Sequence, residues 1–302
     1  MGQSRPRAAS MLNIPSAEVL LQGLLNGILM GCIYALIAAG LSLIFGLMEI
    51  VNFAHGEFLM IGMYTAFWMY ALFALDPLLS VPVCGAALFV LGWLTHKGII
   101  RRILGAPMLA QIFATFGLGI FLRALAQFLW TPDFRQVSDP WIQGPVRLLG
   151  VSVGLPQLVS SLASLLAFGF LYWFITRTET GAALEATAQD RQAAALMGID
   201  TEKIFTLGWG IGSACVGVAG AFLAMFFYVF PYVGSLFALL AYVIVALGGF
   251  GSVPGSLVAG IIVGVIEVMG GLLIAPAFKY VAVFLLYLIV VLIRPQGLLG
   301  KF

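Results

Sequence analysis

Charge is scarce in this chain. Of its 302 residues only 9% are Asp, Glu, Lys or Arg, against about 25% in a soluble domain. With 62% hydrophobic residues, the long apolar stretches define an all-α, polytopic helical membrane protein. Sustained period-2 alternation is missing, which argues against a barrel. There are two histidines, His55 and His96, and three scattered cysteines, Cys32, Cys84 and Cys215. These make neither a disulfide frame nor a transition-metal site. No Ser, His and Asp fall in a nucleophilic arrangement, so the reading is a non-enzyme. A Gly-x4-Gly-Lys-Ser/Thr loop is lacking, so the chain cannot hold ATP in that way. If ATP drives it, another polypeptide hydrolyses it. A net charge of +2 gives no sign of a nucleic-acid partner.

What is present is a series of apolar runs: 17–45, 58–75, 78–95, 108–130, 155–176, 203–229, 235–247, 256–274 and 279–293. The first follows Arg5 and Arg7 but is too long for a signal-peptide core, and is read as a retained span. It carries Gly23, Gly27 and Gly31 at small-residue spacing, which lets two helix backbones approach. Asn26 and Tyr34 are its polar, interior-facing candidates. The run 203–229 is dense in glycine, at Gly208, Gly210, Gly212, Gly217 and Gly220. Basic residues concentrate at 96–102, at 177–203 and in the tail 294–301. Placing all three on the cytoplasmic side requires an even number of crossings between them. The counts agree with nine crossings, N-terminus out and C-terminus in, although Arg5 and Arg7 pull the other way. The run 235–247 is short enough to be re-entrant. The loop 131–154 is then external, with Trp130 and Trp141 as interface anchors.

One polar interruption stands out. Residues 177–203 contain Arg177, Glu179, Glu185, Asp190, Arg191, Asp200, Glu202 and Lys203. Strong helix formers predict one amphiphilic helix over 181–197. Gly198 closes it in a left-handed conformation, and Asp200 caps the next helix. Glu185, Gln189 and Gln192 then share one face, a surface for a partner to hold. Two further charges, Arg123 and Glu267, lie about 22 Å and 18 Å along their spans from the cytoplasmic side at 1.5 Å per residue. Intramembrane charges are usually paired or face a cavity. The expectation is that Arg123 and Glu267 pair with each other; the alternative is that Glu267 meets the ammonium of a zwitterionic substrate. Asn52, His55 and Glu57 are expected to cap a broken helix near the cytoplasmic face.

The stretch Asn52-Phe-Ala-His55-Gly56-Glu57 resembles the signature of bacterial permeases for branched-chain amino acids, the membrane subunits of Liv-type ABC importers. The likeness recurs at Ala195-Leu-Met-Gly198-Ile199, at Gly248-Gly-Phe-Gly-Ser-Val-Pro-Gly255 and at Ile293-Arg-Pro-Gln-Gly-Leu298. These segments cover nearly the whole chain, and its length matches the shorter permease subunit. The resemblance implies one permease domain over 1–302 in a bacterial inner membrane, with no cofactor of its own. The implied partners are a second homologous permease, two subunits that bind ATP and Mg, a periplasmic solute-binding protein and membrane lipid. The segment 177–203 would be the ATPase-coupling element, with Glu185, Gln189, Asp190, Arg191, Gln192 and Gly198. Asn26, Tyr34 and Glu267 would line the translocation path. Family members often carry Arg where this chain has Glu185. A urea or short-chain amide permease has closely similar motifs. An ion-coupled secondary transporter is the rival from another class, but it needs helices broken at mid-membrane, whereas the breaks at 46–57 and 248–255 are read as lying at span ends. A channel would show a ring of filter residues.

Overall fold

The computed structural model describes residues 16–148 and 150–300; Arg5, Arg7 and Lys301 lie outside them. Apolar runs become helices because a backbone surrounded by hydrocarbon must bond to itself. In chain order these are α1 (Ala17–Met48), α2 (His55–Phe73) and α3 (Pro77–Thr95), which continues through a π-helical turn (His96–Ile100) into α4 (Arg101–Ile103). Then come α5 (Met108–Trp130), a hairpin of β1 (Pro145–Leu148) and β2 (Val151–Gly154), and α6 (Leu155–Arg177). The short α7 (Glu179–Gln189) and α8 (Arg191–Leu196) precede α9 (Thr201–Ala224), α10 (Val233–Gly248), α11 (Val253–Leu273) and α12 (Lys279–Ile293). Among the described residues, seven helical segments are long and apolar enough to cross a membrane, α3 and α4 counting as one. α10, at 16 residues, is shorter, and α2, at 19 residues, opens on polar His55 and Glu57; neither is among the seven. The basic stretch 96–102 is therefore helical, where a loop was expected.

Short polar residues set the starts. Asp76, ahead of Pro77, accepts from the Leu78 amide at 2.9 Å. Ser252, ahead of Pro254, accepts from the Gly255 amide at 3.1 Å. Each satisfies an orphan donor of a first turn.

α1 and α9 form the centre. Their most apolar windows are 78% and 72% buried, against 22% for α5 and 6% for α12. α1 lies antiparallel along α11, with Gly27 and Gly31 facing Gly260, Gly264 and Val265 at backbone-to-backbone distance. α9 lies against α3, where Gly217 meets Cys84 and Leu88. The helices on the outside show lipid-compatible side chains, among them Phe113, Phe121 and Phe128 of α5 and Leu288 and Leu292 of α12.

Connections segregate to two ends. At one, Gln22 donates to the Ser152 carbonyl (2.9 Å), the Trp141 amide donates to Asp76 (2.7 Å), and Arg135 bridges Val229. At the other, His96 meets Thr206 at 2.9 Å and Arg101 pairs with Glu202. The second end also carries Lys97, Arg102, Arg177, Arg191, Lys203 and Arg294, which makes it the cytoplasmic side. Trp141 is exposed as expected, but Trp130 stacks on Tyr64 at 4.2 Å and is taken up by the protein. The native cysteines are buried, so single exposed cysteines report sidedness. Ser138→Cys should react with an impermeant thiol reagent from outside intact cells, and Gln189→Cys only after permeabilisation. Labelling of both from one side would overturn the orientation.

Candidate functional site

Three polar assemblies interrupt the apolar body. The first is the re-entrant segment between α1 and α2. Glu49 takes a left-handed conformation (φ 55°) that ends α1. The chain then turns back alongside α1, so that His55 reaches the Ile37 carbonyl at 2.9 Å. A carbonyl only accepts, so His55 Nε2 carries the proton. Ile37 lies eleven residues inside the end of α1, about 16 Å at 1.5 Å per residue. The break was expected near the cytoplasmic face; its far end instead reaches deep into the bundle. Irregular backbone at that depth persists only where protein satisfies it. Thr115 Oγ1 donates to the Val51 carbonyl (3.3 Å), Tyr242 Oη to that of Asn52 (3.2 Å), and the Ala54 amide donates to Asn52 Oδ1 (3.1 Å). The Asn-x-x-His spacing thus serves to hold a folded-back strand of backbone.

Gly56, in the first turn of α2, touches the first turn of α10. A Cβ there would stand 2.7 Å from Ala238 Cβ, and one on Gly234 3.0 Å from the Glu57 amide. Two helices therefore begin against each other inside the span, while the break at 248–255 stays at an end, with Gly248 against Gly255.

The second assembly overturns the expected Arg123–Glu267 pair. Arg123 binds Glu57, a residue read only as part of a cap. Glu267 on α11 accepts from Lys279 Nζ at 2.9 Å and from Tyr34 Oη at 2.7 Å. Equal depth along two helices does not make them neighbours: α5 packs on α2, and α11 on α1 and α12. Both Glu267 oxygens are occupied, and Lys279 holds the place that a substrate ammonium was assigned. Lys279 had no signal as a partner, because it follows Glu267 by a turn whose geometry depends on Pro276. Asn26 is half-buried and meets Gln157 through its backbone carbonyl, 3.5 Å from Nε2.

The third assembly is the cytoplasmic segment 177–203. One helix over 181–197 was expected; the chain forms two. Asp190 leaves helical geometry (φ −153°, ψ 106°) and its carboxylate accepts from the Gln192 and Ala193 amides at 2.8 and 3.0 Å. An Asp competes for local amides better as a cap than inside a helix, so the run of helix formers breaks there. The common face of Glu185, Gln189 and Gln192 is lost with it. Gly198 does close α8 with φ 87°. Asp200 caps α9 by accepting from the Lys203 amide at 3.1 Å, and the Lys203 side chain holds its carboxyl below the usual carboxylate range.

Exposure reassigns the surface. Glu185 stands with Glu49 on the wall of a cleft of about 650 Å³ between α7, α1 and the α10–α11 turn. Arg191 lies over the Phe205 ring at 4.9 Å and ties α8 to α9. Two large apolar side chains stand exposed among the polar ones: Leu196 at 89% and Met197 at 83%. Their placement just before Gly198 is the signal that charge-based reading passed over.

A bundle of membrane-crossing helices, two of them starting inside it, with a helical polar segment on its cytoplasmic face, is the architecture of a multi-pass permease. The sequence profile described as the permease component of branched-chain amino acid transport systems matches residues 23–293, and the chain belongs to that family. It is 33% identical over 296 residues to the high-affinity branched-chain amino acid transport system permease protein LivH of Salmonella typhimurium, covering 93% of this chain and 96% of that one. It is 32% identical over 303 residues to the corresponding protein BraD of Pseudomonas aeruginosa, covering 95% and 98%. A probable LivH of Methanocaldococcus jannaschii is 29% identical over 299 residues, covering 94% and 92%. No solved structure matches the chain. Family membership sets aside the ion-coupled transporter despite the inner helix breaks, and the permease is not itself an enzyme.

Proposed function

We propose that the chain is the shorter permease subunit of an ABC importer for branched-chain amino acids in a bacterial inner membrane, acting as one permease unit. Its partners are a second homologous permease, two ATPase subunits that bind ATP and Mg, and a periplasmic solute-binding protein. The observation that carries this reading is the segment α7–α8. It presents Leu196 and Met197 to the cytoplasm, while its other contacts run into α6 and α9 and, through α7, to α1. An exposed apolar pair on an otherwise polar surface marks a protein contact. A push on α8 reaches α9 through Arg191 on Phe205 and through the Gly198–Asp200 turn. Glu185 and Glu49 on the adjacent cleft fit a basic side chain of the ATPase.

Leu196→Asp with Met197→Asp tests the reading. Both side chains are exposed, so the substitution should leave folding within about 0.5 kcal/mol. In proteoliposomes of the complete transporter, import of labelled leucine and ATP hydrolysis stimulated by the binding protein should each fall at least about tenfold, the scale of lost hot-spot residues. Wild-type import by the variant would refute the coupling role. Uptake of urea in place of leucine by the unaltered transporter would replace the substrate.

A further inference from the structure

The geometry points to the Glu57–Arg123 pair as the polar station of the translocation path, where a zwitterionic amino acid exchanges with the pair: Arg123 takes its carboxylate and Glu57 its ammonium.

The pair lies at mid-span. Arg123 is fifteen residues from the cytoplasmic start of α5, about 22 Å, and Glu57 is sixteen residues from the outer end of α2, about 24 Å, at 1.5 Å per residue. The Arg123 side chain is 30% exposed there, whereas Glu57 is 3% exposed. A guanidinium cannot stay open to hydrocarbon at that depth; such groups face the bundle interior or a water-filled cavity. The face that shows Arg123 is therefore not a lipid face.

The surroundings form a groove. α5 and α10 both pack against α2, and Arg123 crosses between them to lie 5.5 Å from the Tyr232 ring. The floor is the start of α2, where Gly119 of α5 leaves only 3.3 Å between an added Cβ and Glu57 Oε2. Phe53 and Tyr242 pack with their rings tilted by 48°, centroids 5.4 Å apart, further along. Exposed Phe116 is seven residues before Arg123 and so shares its face of α5; exposed Leu239 is on α10.

The groove combines the features that a zwitterion with an apolar side chain needs. The first turns of α2 and α10 converge at Gly56 and Gly234, and helix N-termini favour an anion. Arg123 Nε is buried without an acceptor, so the guanidinium keeps a free donor beside Glu57. Glu57 supplies the only nearby carboxylate among the described residues of the groove. The aromatic and aliphatic walls suit a branched side chain. In contrast, the Tyr34–Glu267–Lys279 cluster has every oxygen of its carboxylate taken.

The proposal rests on the transport reading, and the test separates the two. The complete transporter is reconstituted with its binding protein and supplied with labelled leucine. The variants are the neutral pair Glu57→Gln with Arg123→Gln and, separately, Leu239→Cys. With both charges removed no orphan remains, so the double variant should fold and purify as the assembled complex. Its leucine import should fall roughly tenfold or more, the scale of a lost charge-assisted hydrogen bond. Leu239→Cys should react with a membrane-impermeant, cationic methanethiosulfonate, while Leu166→Cys, on the exposed face of α6, stays inert. Import at the wild-type rate by the double variant, or an unreactive Leu239→Cys, would overturn the assignment. If the double variant does not fold, the cysteine pair decides alone. Failure of the unaltered transporter to import any amino acid would instead remove the transport reading beneath it.

Discussion

Gly264→Leu should leave almost no folded protein in the membrane. Position 264 lies on the seam between α1 and α11, where a Cβ would stand 2.6 Å from the Gly31 amide nitrogen. The neighbour is backbone, which cannot rotate away as a side chain can. On the opposite helix, a Cβ at Gly31 would stand 2.6 Å from Ile261 Cα, and one at Gly27 2.7 Å from Val265 Cα. In a bilayer the lipid tails are as apolar as the helices, so close van der Waals packing is much of what holds them together. A leucine at 264 forces α1 and α11 apart along this seam, and α1 is the most buried span. Overpacking costs about 1–3 kcal/mol for small insertions and more where backbone must move; several such contacts together approach the whole stability of a domain, about 5–15 kcal/mol. Gly264→Ala should lower the midpoint of thermal unfolding in detergent and Gly264→Leu should abolish the monodisperse peak. Gly169→Leu is the control, since a Cβ there meets nothing within 4 Å. A Gly264→Leu protein with the wild-type midpoint would show that the seam does not form.

Lys279→Ala should be the most damaging single change in the cluster that joins α1, α11 and α12. Glu267 is 6% exposed and Lys279 39%. Removing the lysine leaves a buried carboxylate with only the Tyr34 hydroxyl, and breaking one partner of a buried pair costs about 3–5 kcal/mol. Glu267→Gln should cost less, because the flexible lysine can turn its ammonium toward the outer water and the amide oxygen still accepts from Tyr34. The double variant, Lys279→Ala with Glu267→Gln, should recover much of the lost folded yield, as coupled neighbours are not additive. Yield in both singles and the double is the measurement. Independent, additive losses would show that the two groups do not interact in the membrane. Because the pair is structural, well-folded Glu267→Gln should import leucine; loss of import without loss of fold would return Glu267 to the substrate path.

Local chemistry was legible along the chain. Charge scarcity and apolar runs defined a polytopic helical protein, the basic stretches at 96–102 and 177–203 do gather at one end of the bundle, and Asp200 and Gly198 marked helix ends where the structure has them. Each signal acts within one or two turns, so neighbouring residues contain it. The motif around Asn52 and His55, with the segments at 195–199, 248–255 and 293–298, carried the family.

Three features were decided only by tertiary structure. The depth of the 49–54 segment depends on distant carbonyl partners: Ile37 accepts from His55, and the Val51 and Asn52 carbonyls find Thr115 and Tyr242. The division at Asp190 required a choice between continuing a helix and capping a new one, and the choice is made where α8 must lay Arg191 on Phe205. The charge partners needed the identity of the neighbouring helix. Spacing gives a residue its height and its face on its own helix, so Arg123 and Glu267 could be placed at similar depth. Which helix stands beside that face depends on backbone approach at glycines far along the chain, and this sets Glu57 against Arg123 and Lys279 against Glu267.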